Sequence, residues 1–250
     1  VNEPMLRTIR ADLHIHSCLS PCGDEKMRPC AIVRKALAMG LDMIAICDHN
    51  SAENIAAFMS AGSESGLAVL PGIEVTSKEE IHLLALFSRQ EDCMALQNLI
   101  YQNLLGENVE EVFGCQMMVN EKDETIGINR KMLIGATRLP LERIVSAVGS
   151  LRGVTIASHI DRQAFSLLGQ LGFIPEGLSL DGLEISPRTS KEEAQKRFHA
   201  YRRYSFVRFS DAHHLEDIGK NITHFLLKET TSEEVKKALH DQEGRRVVEQ

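Results

Sequence analysis

The sequence predicts an α/β fold: a closed or nearly closed barrel of strands with helices packed outside. Two observations carry that expectation. Short β-branched runs alternate with amphipathic helical patterns, and about seven to eight such runs occur within 250 residues. The residues able to do chemistry also gather where those runs stop, the end at which a parallel barrel opens to its active face. An open doubly wound sheet shares the alternation, because spacing does not fix strand order.

The elements follow in order. "TIRADLH" reads as a strand, and "RPCAIVRKALAMG" as a helix closed by Gly40. "LDMIAICDH" is a buried strand, "SAENIAAFMSAGSESG" a helix, and "LAVLPGIEVTS" and "IHLLALFS" two further strands. Strand-helix-strand alternation implies parallel pairing. From about 90 to 150 the strands pause, and "EDCMALQNLIYQNLL" and "PLERIVSAVGSL" are amphipathic helices around the polar stretch "VNEKDETIGINRKMLIGATR". This predicts a small helical insertion that lids the barrel mouth. "GVTIASH" resumes the rhythm, followed by a helix near 162–172, "LDGLEIS", a helix near 190–203, "SFVRFSDAHH" and "NITHFLLK". "SEEVKKALHDQEG" is a surface helix with glutamates in its first turn. Residues 1–250 are expected to form one barrel domain.

Composition narrows the function classes. Hydrophobic residues make up 43% and charged residues 25%, the values of an ordinary globular protein. A net charge of −7, no basic run and no tryptophan argue against stable nucleic-acid binding. Bound cations can still reverse the field locally for a small anion. No apolar run reaches the ~18 residues of a membrane span. The opening "VNEPMLRTIR" lacks a secretory h-region, and Met5 is a candidate start. Six irregularly spaced cysteines suit a reduced, cytoplasmic protein.

Strand ends carry the chemistry. His14 and His16 close the first strand, and alternation aims both imidazoles to one side. Asp48 and His49 close the second strand and Glu74 the third. His82 starts "IHLLALF", His159 ends "GVTIASH", and Asp211, His213 and His214 end "SFVRFSDAHH". Each has a plain structural alternative: Asp48 as a helix cap, Glu74 as a partner of Lys78, a lone histidine as a core residue. Together, imidazoles with bridging carboxylates suit Zn²⁺, Mn²⁺ or Fe²⁺ rather than all-oxygen Ca²⁺ or Mg²⁺ sites. The number of ligands implies two or three ions, an arrangement that activates water and clamps phosphoester oxygens. Arg162 in "SHIDR" and Arg188 in "ISPRTS" follow strand ends and can fork onto phosphate or serve as salt-bridge partners. Lys191 is a weaker candidate.

"DLHIH", "DH" after a strand, "GIE", "SH" and "SDAHH" resemble, in order, the motifs of the PHP (polymerase and histidinol phosphatase) family, over about residues 9–215. The resemblance implies a distorted (β/α)7 barrel with a metal site at the strand C-termini, and phosphoesterase activity. It implies that His14, His16, Glu74 and Asp211 hold one ion, that His49 and His213 help hold a second, and that Glu74 and His159 serve a third. His82 resembles a further ligand of that third ion. Within the family the chain is most similar to small bacterial phosphoesterases acting on nucleotides. It departs where many members carry His or Asp and this chain has Pro21 and Cys22. Cys22 as a thiolate, Asp24 as an oxygen ligand, and a tight turn with neither all remain open.

The expectation is therefore a hydrolase using two or three divalent ions on a small phosphorylated substrate, nucleotide-like or sugar- or histidinol-phosphate-like. Asp211, His213, Arg162 and Arg188 would act at the reacting phosphate. His213, His214 or a bound water is the general acid. A metal-binding module with a structural or regulatory role is the alternative. An amidohydrolase-like enzyme on a C–N bond would need a strand-end lysine for a bridging carbamate, and none is found.

Overall fold

A computed structural model describes residues 5–248, without the side chain of Lys191; Val1 lies outside the described residues. Strand β1 (Arg7–Ile15) leads to α1 (Pro29–Ala38), β2 (Met43–Ile46), α2 (Ile55–Ser65), β3 (Ala68–Thr76) and β4 (His82–Leu86). Then come α3 (Gln90–Asn103), α4 (Glu110–Phe113), β5 (Met117–Val119), β6 (Thr125–Ile128) and α5 (Leu141–Ser150). The rest runs β7 (Val154–Ala157), α6 (Leu167–Leu171), β8 (Gly182–Glu184), α7 (Lys191–Arg197), β9 (Ser205–Val207), β10 (Thr223–Leu227), α8 (Ser232–Leu239) and β11 (Arg246–Val248). No helix among the described residues is long and apolar enough to cross a membrane.

Among the described residues the main sheet has nine strands, ordered β11-β10-β1-β2-β3-β4-β7-β8-β9. It nearly closes into a barrel. Ile15 bridges Ala212, just past β9, in parallel, and the His16 N–H donates to the Ala212 carbonyl at 2.9 Å. The fully buried Asp12 fastens the same seam, accepting the Ser210 and Gly219 N–H groups at 2.9 Å each. Strands β1 to β4 and β7 to β9 carry the mouth, while β10 and β11 continue the sheet from β1 by antiparallel pairing and add Phe225 and Leu227 to its inner cluster.

Pairing departs from the parallel expectation at β4. Only five residues, 77–81, separate it from β3, too few for a crossover, so it turns back antiparallel to both β3 and β7. The insertion differs too. Helices α3 and α5 bury apolar faces in the main core and belong to the barrel shell. Between them, 104–140 holds one four-residue helix and the hairpin β5–β6 rather than a helical segment. The hairpin forms because Asn120 Oδ1 accepts the Lys122 and Glu124 N–H groups and Asp123 takes a positive φ of 65°, turn chemistry that overrides the polar composition.

Two apolar layers sandwich the wall. Met43, Ala45, Cys47, Leu84 and Leu86 face the inner cluster, which α8 closes, whereas Ile44, Ile46, Leu83 and Ala85 face the helices. Strand β1 begins with Ile9, Ala11 and Leu13 in the inner cluster, but its register against β2 shifts between Asp12 and Ile15. Ile15 therefore joins the outer core, and His14 and His16 take the inner face at the mouth. Helix α8 is capped by Thr231, whose hydroxyl accepts the Glu234 N–H, one residue before the expected Ser232 start.

Asp12→Ala is expected to strand two buried backbone donors at the seam and cost about 2–5 kcal/mol, read as a lower urea midpoint. A loss below about 0.5 kcal/mol would show that the seam does not depend on Asp12.

Candidate metal centre

The mouth of the barrel collects side chains from every wall strand. His14 and His16 come from the end of β1, His49 from the loop after β2, and Glu74 from β3. His159 follows β7, and Asp211 and His213 follow β9. His82 opens β4 and still faces the mouth because that strand runs the other way. Two of these positions, His159 (φ 29°) and Asp211 (φ 50°), hold the backbone in the left-handed region, as does Asn50 (φ 53°) next to His49. Strain of this kind in non-glycine residues concentrates at functional sites.

Glu74 is the hub. Its Oε1 lies 3.4 Å from His14 Nε2, 3.0 Å from His82 Nδ1 and 3.3 Å from His159 Nε2. Its Oε2 lies 3.4 Å from His16 Nε2 and 3.1 Å from His49 Nδ1. Asp211 Oδ1 sits 3.3 Å from both His14 Nε2 and His16 Nε2, and those two nitrogens are 3.2 Å apart. Three sets bring ligand atoms within 4.8 Å of one another: His14, His16 and Asp211; His16, His49 and His213; His49, Glu74 and His82. The last joins His49 to Glu74 and His82, whereas the resemblance divides those residues between a second and a third ion.

The donor set fits divalent cations. Glu74 Oε1, His49 Nδ1, His82 Nδ1 and His159 Nδ1 are buried without a hydrogen-bond partner. Buried polar atoms rarely remain so unless an ion or water is meant to meet them. Electrostatics agrees. Burial opposes charge on Glu74 and Asp211, yet the surrounding histidines hold both carboxyls well below the usual range. Burial likewise opposes charge on His14, His16 and His49. The carboxylates, with Cys22 beside His49, nevertheless raise His14 well above the usual histidine range and His16 and His49 to about 9. Burial and the neighbouring His16 push His213 down to about 3, so it is neutral with a lone pair free to ligate.

The surrounding residues hold the imidazoles in place. Glu184, at the end of β8, meets His14 Nδ1 at 3.0 and 3.1 Å and accepts the His159 N–H at 3.1 Å. Sequence reasoning passes over Glu184, although it is an acid closing an apolar strand like Glu74. His16 Nδ1 meets Ser20 Oγ at 2.9 Å, and Ser20 donates to Asp48 at 2.7 Å. Asp48 also accepts the Ser17 N–H and hydroxyl, so it organises the loop rather than facing the centre.

Not every candidate converges. Cys22 is exposed but lies beside His49. Asp24 turns away: it accepts the Lys26 N–H at 2.8 Å and faces His214 Nδ1 at 3.6 Å, which also draws His214 off the centre. Backbone geometry explains this, because the Asp24 N–H is tied to the His213 carbonyl, leaving the side chain to cap its own turn. Arg162 donates to Asp211 Oδ2 at 2.5 Å. Arg162 and the exposed Arg188 both line a cavity of ≈ 430 Å³ that opens onto His82 and His159. The 104–140 segment supplies none of that lining. It packs on the neighbouring rim, where Asn50 donates to the Leu133 and Gly135 carbonyls, so it is a side wall rather than the expected lid over this cavity.

Comparison with known proteins agrees with this geometry. The sequence pattern of the PHP domain matches residues 12–203. An 82-residue stretch is 33% identical to a 5′-3′ exoribonuclease of Haemophilus influenzae, covering 32% of this chain and 29% of that protein. Endonuclease Q of Pyrococcus furiosus, a lesion-specific endonuclease, superposes with a TM-score of 0.74 at 19% identity, over 96% of this chain and 58% of that one. Endonuclease Q in complex with a 27-mer duplex carrying an abasic lesion at its active site gives 0.73 at 18% identity, with the same coverage. These findings overturn the expectation of a small phosphorylated substrate and no stable nucleic-acid binding. Net charge misleads on this point, because a cavity faced by arginines and a cation site sets its own field.

Two outcomes are expected. Glu184→Gln should weaken Zn²⁺ or Mn²⁺ binding about 10- to 100-fold by calorimetry, and unchanged affinity would remove its role in orienting His14. Because His16 and His49 titrate near 9 in the metal-free chain, both carry protons at pH 7 that metal must displace. Affinity should therefore rise as pH goes from 7 towards 9, with proton release visible in buffers of different ionisation enthalpy. Binding without proton release would contradict this.

Proposed function

Because this chain belongs to the PHP domain family, we propose that it is a metal-dependent hydrolase of phosphodiester bonds in nucleic acid. The observation that carries this reading is the cluster of buried imidazole and carboxylate atoms 3.0–3.4 Å apart around Glu74, several without an aligned hydrogen bond, opening onto a cavity lined by Arg162 and Arg188. Similarity to an exoribonuclease and to a lesion-specific endonuclease favours a nucleic-acid phosphodiester over a free small ester.

His14, His16, Glu74 and Asp211 would hold one divalent ion. His49 and His213, with Cys22 in reach of His49, would hold a second, and Glu74, His82 and His159 a third. Such ions, when bound, acidify water and neutralise phosphoester oxygens. The imidazole-rich donor set favours Zn²⁺, Mn²⁺ or Fe²⁺. The protein's own residues do the rest. Glu184 keeps His14 oriented, and Ser20 with Asp48 keeps His16 oriented. Arg162, bound to Asp211, fixes that carboxylate at the cavity edge, and Arg188 offers its guanidinium to a phosphate of the strand. His213 serves as a ligand, its ring nitrogen grouped with those of His16 and His49.

The test is turnover of short single-stranded RNA and DNA and of bis-p-nitrophenyl phosphate, by protein loaded in turn with Zn²⁺, Mn²⁺ or Fe²⁺. Metal-dependent cleavage is expected, abolished in His16→Ala and lowered about 10- to 100-fold in Arg188→Ala. No turnover by protein that demonstrably holds metal would sink the reading and favour a structural or regulatory module.

A further inference from the structure

One residue of the cavity wall has no part in the chemistry above. Phe165 lies in the loop between β7 and α6, and its ring stacks on His82 with centroids 4.9 Å apart and planes inclined by 25°. Its carbonyl accepts the His82 N–H at 2.9 Å, so the loop is tied to the mouth of the barrel. The backbone of Phe165 sits at φ 57°, a conformation that suits glycine or asparagine far better than an aromatic residue. Even so, 43% of the residue remains exposed. The chain thus holds a large apolar ring against local preference, in the cavity and half in water.

Another part of the lining is held firmly. Asp161 accepts the Ser186 N–H at 2.8 Å and the Ser186 and Thr189 hydroxyls at 2.6 Å each, and this pins the turn that carries Arg188. A cation for phosphate and an aromatic face therefore flank the same ≈ 430 Å³ cavity, whose inner wall is His82 and His159. An aromatic ring beside a phosphate-binding cation is how proteins hold unpaired nucleotides, since every base offers a π-face once unstacked. A paired base inside a duplex offers none.

We infer that Phe165 is the platform on which the unpaired base next to the scissile phosphate stacks, making the cavity selective for single-stranded or flipped-out nucleotides. This rests on the phosphodiesterase reading for the identity of the scissile bond, but it is tested by binding alone. The probe is a phosphorothioate trinucleotide carrying 2-aminopurine at each position in turn, with an abasic counterpart for each. The chain contains no tryptophan to obscure the signal.

Wild type should quench 2-aminopurine at one position and bind that strand about 5- to 150-fold tighter than its abasic counterpart. Phe165→Tyr should keep both effects. Phe165→Ala should lose both, and so should Phe165→Leu, which retains apolar bulk over His82 without a π-face. A base-dependent ratio unchanged in Phe165→Leu, or absent in wild type, overturns the proposal. So does an equal loss of base-bearing and abasic strands, which would mark Phe165 as mere support for His82. Hydrolysis of bis-p-nitrophenyl phosphate by metal-loaded wild type is read alongside. If it fails while base-dependent binding holds, the activity reading falls and the platform stands.

Discussion

Glu74 is buried at the centre of the barrel mouth with imidazole nitrogens from five histidines 3.0–3.4 Å from its oxygens. Removing so many polar groups from water is costly unless charge compensates charge. In the metal-free chain protons supply part of that compensation, which is why His14, His16 and His49 hold theirs so tightly. Divalent ions would supply it more fully. Much of the fold can be understood as the means of bringing these groups together. The register shift in β1 turns His14 and His16 inward, the reversal of β4 delivers His82 to the mouth, and Asp12 clamps the seam that carries Asp211 and His213.

Most of the centre is legible in the amino-acid sequence, for a physical reason. In a barrel the apolar run of a strand is its buried part, so a histidine or acid where the run stops lies at the rim. His16, His49, His159, Asp211 and His213 follow that rule, and His14 and Glu74 lie within two residues of their strands' ends. Glu184 follows it too but is a lone acid without a neighbouring histidine, and nothing in its sequence context marks it as the partner of His14, 170 residues away. Asp12 is illegible because its partners, Ser210 and Gly219, are brought to it only by closure of the barrel. The direction of β4 follows from the short 77–81 link, and the hairpin in the insertion from Asn120 and Asp123. Both are local signals outweighed by the apparent helix-strand rhythm. Spacing does not choose between Cys22 and Asp24, since the choice depends on which backbone groups the turn ties down.

Overall charge is a poor guide to the field inside a cavity. A chain of net charge −7 can still present arginines and a cation site to a phosphate, because field lines in a low-dielectric cavity follow the nearest charges rather than the sum. Arg162, Arg188 and Phe165 lie together in one cavity at the mouth.

The central claim is that Glu74 organises a multinuclear cation site. It is tested most directly by elemental analysis of purified wild type and Glu74→Gln, with circular dichroism confirming that both are folded. The account predicts two or three divalent ions per wild-type chain and the loss of at least one in the variant. A folded wild type that binds no divalent ion, or a variant that binds as many as wild type, would contradict it.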